Sequence, residues 1–154
     1  MQANICCFTG HREIPFTELP SLKRKLSRAI ADCIRQGCTE FRCGGALGFD
    51  TLAARAVLSA RKKHPHIRLV LMLPCPEQTK NWSAANIKTY GNILQKADAV
   101  IYTADHYYRG CMHLRNRRLV DGSSFCIAYC RRDTGGSAYT VQYAKKQGCS
   151  VIPL

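Results

Sequence analysis

The feature that most constrains the fold is an alternation of short, continuous apolar runs with amphipathic segments. The apolar runs occupy residues 5–8, 41–43, 67–73, 99–102, 125–129 and 151–152. Between them, apolar residues recur at spacings of three and four, as Leu22, Leu26 and Ile30 do, and this period predicts helices. Apolar strands that alternate with helices are typical of a parallel sheet buried on both faces. We therefore predict an α/β domain with a mostly parallel sheet of five or six strands.

The third predicted helix lies in the middle of the chain. It is expected over residues 83–96, with Ile87, Tyr90, Ile93 and Leu94 facing the core. A shorter helix is predicted over residues 113–120, and a last one runs from the glycine pair at 135–136 to residue 147. Repeats, linkers and low-complexity segments are absent from the sequence, so all 154 residues are assigned to a single domain.

Composition limits the classes of partner. No apolar run approaches the roughly 20 residues that a membrane span needs. The N-terminus resembles no signal peptide, so we interpret the protein as cytoplasmic, without a membrane partner. The net charge of +13 favours an anionic partner, but it does not by itself choose among a nucleotide, a nucleic acid strand and a membrane surface.

The ten cysteines are interpreted as reduced, structural residues. Cys6, Cys33, Cys126 and Cys149 fall within apolar segments, where a free thiol behaves as a small hydrophobic group. No CxxC pair is present, and Cys126 with Cys130 is a weak metal motif. We therefore expect no metal site.

The first loop at the carboxyl edge of the predicted sheet is Thr9-Gly10-His11-Arg12. Parallel α/β sheets bind ligands at this edge, near the point where strand order reverses. Arg12 is suited to hold a phosphate through two hydrogen bonds, and Thr9 could donate to the same group. The alternative is that Arg12 pairs with Glu13.

The second loop, residues 44–50, reads GGALGFD and leads from a strand into a helix. Gly44, Gly45 and Gly48 would let backbone N–H groups approach a phosphate at a helix N-terminus. Tight strand-to-helix turns also need glycine for purely steric reasons, so phosphate binding and turn geometry both stay open as interpretations. Asp50 is expected to be the helix N-cap, with a contact to a ribose hydroxyl as the alternative.

Two further segments complete the predicted site. Gly135, Gly136 and Ser137 again join a strand to a helix, and Ser137 either caps that helix or joins the glycine amides around an anion. Arg115 and Asn116 are expected to contact a base or a sugar. Arg117 and Arg118 are interpreted as helix surface.

Taken together, these segments resemble the SLOG superfamily, which includes the DNA-processing protein (Smf) and Lonely-guy families. The resemblance rests on TGHR (9–12), GGALGFDTLAA (44–54), RNRRLVDGSSFCIAYC (115–130) and GGSAYTVQYAKKQG (135–148). It covers nearly the whole chain and is nearest to small, stand-alone bacterial members. It implies a Rossmann-like three-layer αβα fold whose glycine loops bind a nucleotide or a nucleotide-derived molecule, and it is compatible with a homodimer.

The resemblance leaves the activity uncertain. The phosphoribohydrolase members carry a PGGxGTxxE segment whose glutamate assists N-glycosidic cleavage, but here Thr140 occupies that position. A hydroxyl cannot stabilise a developing oxocarbenium ion as a carboxylate does. Asp50 and Asp133 are the nearest carboxylates available to substitute, and no catalytic residue is assigned.

Three hypotheses follow. The first is binding or sensing of a nucleotide-type ligand, with no resident cofactor evident beyond a bound nucleotide or phosphate. The second is a nucleotide-processing enzyme with His11 as acid or base. The third is binding of single-stranded nucleic acid, which the charge favours and the low aromatic content of 8% disfavours.

Overall fold

A computed structural model describes residues 4–154 and shows a six-stranded sheet in which every strand pair is parallel. The strands are β1 (Asn4–Gly10), β2 (Cys38–Cys43), β3 (Arg68–Leu73), β4 (Ala99–Tyr102), β5 (Phe125–Tyr129) and β6 (Ser150–Pro153). The helices are α1 (Leu19–Arg35), α2 (Phe49–Lys63), α3 (Ala84–Lys96), α4 (Cys111–Val120) and α5 (Gly136–Lys146). The predicted α/β fold is confirmed.

The sheet reverses its strand order beside β1. The order is β4-β3-β2-β1-β5-β6, so the chain builds outward from β1 in one direction and then crosses to β5 on its other side. The loops after β1 and β5 therefore diverge at the carboxyl edge and leave a crevice between them. This is the position at which open α/β sheets bind ligands.

Helices cover both faces of the sheet. α1, α2 and α3 pack side by side on one face, whereas α4 and α5 pack together on the other. A hydrophobic core lies on each face of the sheet, and alternate residues of β1 point into one or the other. Cys6 and Phe8 belong to the core beneath α1, α2 and α3, and Cys7 belongs to the core beneath α4 and α5. This alternation follows from the period of two along a strand, and it produces a three-layer αβα domain.

The structure corrects the sequence prediction in two elements. Ile87 is 43% exposed rather than inward, because α3 packs on the core only through its second half, where Ile93 is buried. β4 lies at the edge of the sheet, and its Val100, Ile101 and Tyr102 are exposed, so burial on both faces does not extend to this strand.

All ten cysteines are free thiols, and nine of them are buried. Burial raises the pKa of the Cys6 thiol to about 11. A raised pKa lowers the thiolate fraction and with it the reactivity of the sulfur. No helix among residues 4–154 is both long enough and apolar enough to cross a membrane.

Candidate functional site

A cleft of about 480 Å³ opens at the carboxyl edge of the sheet, on the face covered by α4 and α5. The loop after β1, the loop after β5 and the start of α5 form its rim, and α4 forms one wall. The predicted site residues that line it are Thr9, Gly10, His11, Arg12, Asp50, Arg115, Asn116, Gly135, Gly136 and Ser137. Residues from four separate segments of the sequence thus share one cavity.

The N-terminus of α5 faces this cleft without a side-chain cap. Gly135 precedes the helix with a φ of 100°, and no side chain among residues 4–154 caps the start of the helix. A Cβ atom at Gly135 would have no neighbour within 4 Å, so the backbone here is open. Ser137 is the second residue of the helix, so the alternative in which it caps α5 is wrong. An uncapped helix start offers free N–H donors to an anion.

Arg12 and Arg132 are the cations at the rim of the cleft. Both side chains are exposed, and neither forms an ion pair with any residue from 4 to 154. The alternative in which Arg12 pairs with Glu13 is therefore wrong. Thr9 lies deeper at the end of β1, where its side chain is buried. Glycine is required at position 10 for steric reasons, since a Cβ there would lie 2.4 Å from the Phe49 ring.

His11 is engaged by the protein itself. Its Nε2 accepts a hydrogen bond of 2.7 Å from the Arg131 N–H, and its ring meets the Tyr129 ring edge-on. Desolvation lowers the pKa of His11, and the positive charges of Arg132 and Arg131 lower it further. A neutral imidazole with Nε2 already occupied ties the β1 loop to the β5 loop, which argues against His11 as an acid or base through that nitrogen.

Arg115 is a buried guanidinium that holds the β2 loop. It is only 6% exposed, its Nη1 donates to the Gly44 carbonyl, and its Nε donates to Asn116 Oδ1 at 2.9 Å. A Cβ at Gly44 would lie 2.8 Å from Arg115 Nη1, so the glycine makes room for this contact. Gln78, which sequence analysis missed, donates to the same carbonyl at 3.4 Å.

Asp50 lines the cleft and is 7% exposed. The helix cap is Gly48, so the prediction that Asp50 is the N-cap is wrong. Its Oδ2 accepts a hydrogen bond of 3.1 Å from the Ala46 N–H, within the loop itself. Burial raises the pKa of Asp50, although Arg115, the Ala46 N–H and Arg12 partly offset that rise.

Gly45 and Gly48 lie away from the cleft, against a second cavity of about 400 Å³ between α2 and α3. Gly48 has a φ of 76°, and a Cβ there would lie 2.1 Å from the Arg12 carbonyl oxygen. A Cβ at Gly45 would lie 2.4 Å from Leu73. The two glycine pairs share one edge of the sheet, but they do not line one cavity.

Thr140, at the position of the glutamate in phosphoribohydrolases, is 1% exposed. Its hydroxyl donates to the Gly136 carbonyl at 2.9 Å, inside α5. Asp133 does not line the cleft, which leaves the buried Asp50 and the exposed Glu13 as the carboxylates that line it. No group of three or more metal-ligating side chains is placed to bind an ion in the described part of the chain.

Comparison with known proteins identifies relatives. The chain is 33% identical over 141 residues to the UPF0398 protein BH1768 of Halalkalibacterium halodurans, covering 90% of this chain and 72% of that one. It is 32% identical over 138 residues to the SPbeta prophage-derived protein YoqJ of Bacillus subtilis, covering 81% of each.

Two solved structures share the fold. DNA processing protein A from Helicobacter pylori, described for its single-stranded DNA binding mode, has a TM-score of 0.69 at 20% identity. The protein of that name from Streptococcus pneumoniae has a TM-score of 0.69 at 15% identity. The match to the Helicobacter pylori protein includes 97% of this chain and 64% of that chain. The match to the Streptococcus pneumoniae protein includes 98% of this chain and 50% of that chain. A family model matches residues 6–150, and the chain belongs to the YspA SLOG family.

Proposed function

We propose that the protein binds a phosphate-bearing, nucleotide-type ligand in the cleft and acts as a binding or sensing module. The phosphate lies at the start of α5, whose first residues line the same cleft as Arg12 and Arg132. The sugar lies toward Asp50, whose carboxylate can accept a hydrogen bond from a hydroxyl. Membership of the YspA SLOG family supports a nucleotide-related role in general.

The observation that carries this proposal is the uncapped N-terminus of α5 at the reversal point of the sheet. Helix N-termini attract anions because free N–H groups and the helix dipole act in the same direction. Two arginines without ion-pair partners among residues 4–154 line the same cleft. The cleft volume also falls within the range usual for small-molecule sites, roughly 300–1,000 Å³.

Binding is favoured over catalysis by the state of the candidate groups. Thr140 is committed to a bond within α5, and His11 Nε2 is committed to the Arg131 N–H. Asp50 could act as an acid because burial raises its pKa. However, hydrolysis of a glycosidic bond generally uses two carboxylates on opposite sides of the bond, and Glu13, the other carboxylate lining the cleft, is exposed at its rim.

A second candidate function is binding of single-stranded nucleic acid. The segment before α4 exposes Tyr107 and Tyr108, at 61% and 40%, next to Arg109. Exposed aromatic and basic side chains together are typical of surfaces on which bases stack. The Helicobacter pylori relative in fold is described as binding single-stranded DNA.

Calorimetric titration with the four ribonucleoside monophosphates tests the proposal. We expect Arg12→Ala/Arg132→Ala to weaken the best of them at least about tenfold, because charge-assisted bonds to phosphate are lost. Arg24→Ala/Arg28→Ala on α1 changes the net charge equally and leaves the cleft intact. Equal losses in both variants, or no binding by the parent, contradict the proposal. Release of free base, detected by chromatography, would instead favour an enzyme.

A further inference from the structure

We propose that the second cavity, between α2 and α3, holds a second nucleoside of the same ligand. The ligand class is then a dinucleotide unit: two nucleosides joined through phosphate, either as a free molecule or as neighbouring residues of a strand. This inference rests on the proposed function and extends it from one cavity to two.

The two cavities adjoin each other at the carboxyl edge. One lies on the face of α4 and α5, the other on the face of α2 and α3, and the β2 loop separates them. Arg12 and Asp50 line both. Arg12 and Asp50 are therefore the residues that a ligand occupying both cavities would contact on passing from one to the other.

The walls of the second cavity suit a planar heterocycle. Trp82 and Tyr90 meet edge-to-face with ring centroids 5.3 Å apart, and Leu47 and Ile93 add apolar surface. Asn86 and Thr89, on the same side of α3, supply amide and hydroxyl groups at the rim. Apolar walls with a few polar side chains are the usual composition of a site for a nucleobase-sized group.

The residues at the boundary suit the linkage between two nucleosides. Arg12 is exposed and has no ion-pair partner among residues 4–154, so its guanidinium can bridge the phosphate at the start of α5 and the linking phosphate. Asp50 can accept a hydrogen bond from a sugar hydroxyl on either side. The cavity volumes, about 480 and 400 Å³, are similar, so two units of similar size are accommodated.

Gln78 connects the cavity wall to the loop that separates the two cavities. Its Nε2 donates to the Gly44 carbonyl at 3.4 Å, and its Oε1 accepts from the Tyr90 hydroxyl at 3.3 Å. Gln78 thus bonds both Tyr90, in the wall of the second cavity, and the loop that separates the two cavities.

Trp82 provides a direct readout, since it is the single tryptophan of the chain. The full-length protein is titrated at 0.15 M salt with 5′-AMP, with the dinucleotide pApA and with a ten-residue oligoadenylate. We expect pApA to change the Trp82 fluorescence and to bind at least about tenfold more tightly than AMP, because a second base adds contact area. AMP is expected to bind by calorimetry with little fluorescence change.

Variants on α3 separate the two cavities. Thr89→Phe fills the second cavity and should reduce the affinity for pApA to that for AMP, while AMP binding stays at the parent level and reports an intact fold. Asn86→Ala should weaken pApA alone, and Asn92→Ala, an exposed change of the same type outside the cavity, should change neither.

Equal affinities for AMP and pApA, with unchanged fluorescence, overturn the second cavity and leave the proposed function standing. If neither AMP nor pApA binds, both proposals are wrong. If pApA binds as tightly as the oligonucleotide, the ligand is a free dinucleotide. If the oligonucleotide alone reaches the higher affinity and its effect is lost in Thr89→Phe, the two nucleosides belong to a strand.

Discussion

His11 shows how a residue predicted for chemistry can serve structure instead. Its Nε2 accepts the Arg131 N–H at 2.7 Å and so joins the two loops that flank the cleft. Only the neutral ring can accept this bond, and desolvation with the neighbouring Arg132 and Arg131 lowers its pKa. The imidazole therefore links the β1 and β5 loops at neutral pH.

This link is expected to weaken in acid. Because the folded pKa lies below the unfolded value of 6.5, the neutral ring contributes stability fully above that pH, and this contribution is lost as the pH falls through the folded pKa. Hydrogen exchange of the Arg131 amide, corrected for its intrinsic pH dependence, should show protection at pH 7.5 and less at pH 5.5. His11→Phe keeps a ring beside Tyr129 without the acceptor. If its Arg131 amide showed the same pH dependence, the link would be wrong.

At the scale of elements, a single buried side chain fixes α4 against the β2 loop. Arg115 reaches the Gly44 carbonyl across 71 positions of sequence, and its charge partly offsets the cost of burying Asp50. Since Gly44 has no Cβ, the guanidinium occupies space that any other residue would fill. This packing, rather than contact with a ligand, accounts for the glycine.

Arg115→Met should therefore destabilise the fold by about 3 kcal/mol, because it leaves the buried Asp50 without its neighbouring cation. Arg118→Met, an exposed change on the same helix, should cost less than about 0.5 kcal/mol. Urea unfolding measures both variants. Adding Asp50→Asn to Arg115→Met should recover part of the loss, and strict additivity of the two changes would show that the residues do not interact.

The elements themselves were predictable where the apolar pattern is strong. β3, β4 and β5 coincide with their apolar runs to within a residue, but β2 begins at Cys38, three residues before its run, because Thr39 and Glu40 interrupt the pattern. The convergence of the loops follows from parallel strands alone. The roles of Gly44 and Gln78 do not, because each depends on contacts with residues distant in sequence.

For the whole molecule, most of the excess positive charge lies outside the cleft. Lys23, Arg24, Lys25 and Arg28 are exposed on α1, and further exposed cations lie at Lys62, Lys63, Lys145 and Lys146. None of these eight residues lines the cleft. Dispersed charge attracts any polyanion, but without a defined site.

Salt should therefore separate site binding from surface attraction. Each phosphate of a single strand that surface cations neutralise contributes roughly 0.7 to the slope of log affinity against log salt. In the proposed site, α5 and the Arg12 and Arg132 side chains would hold one or two phosphates, which predicts a much smaller slope. We expect single-stranded DNA binding to fade at about 0.15 M salt, where the Debye length is near 8 Å, while nucleotide binding persists.

Titrations with a DNA oligonucleotide and with the best small nucleotide, each at low salt and at about 0.15 M salt, measure both slopes. The Arg24→Ala/Arg28→Ala variant serves as control, since it should lower oligonucleotide affinity at low salt without affecting the nucleotide. Tight oligonucleotide binding at the higher salt, with no competition from small nucleotides, would favour binding of single-stranded nucleic acid over nucleotide binding as the function. The exposed tyrosines Tyr107 and Tyr108 would then be the residues to replace first, because stacking resists salt where surface charge does not.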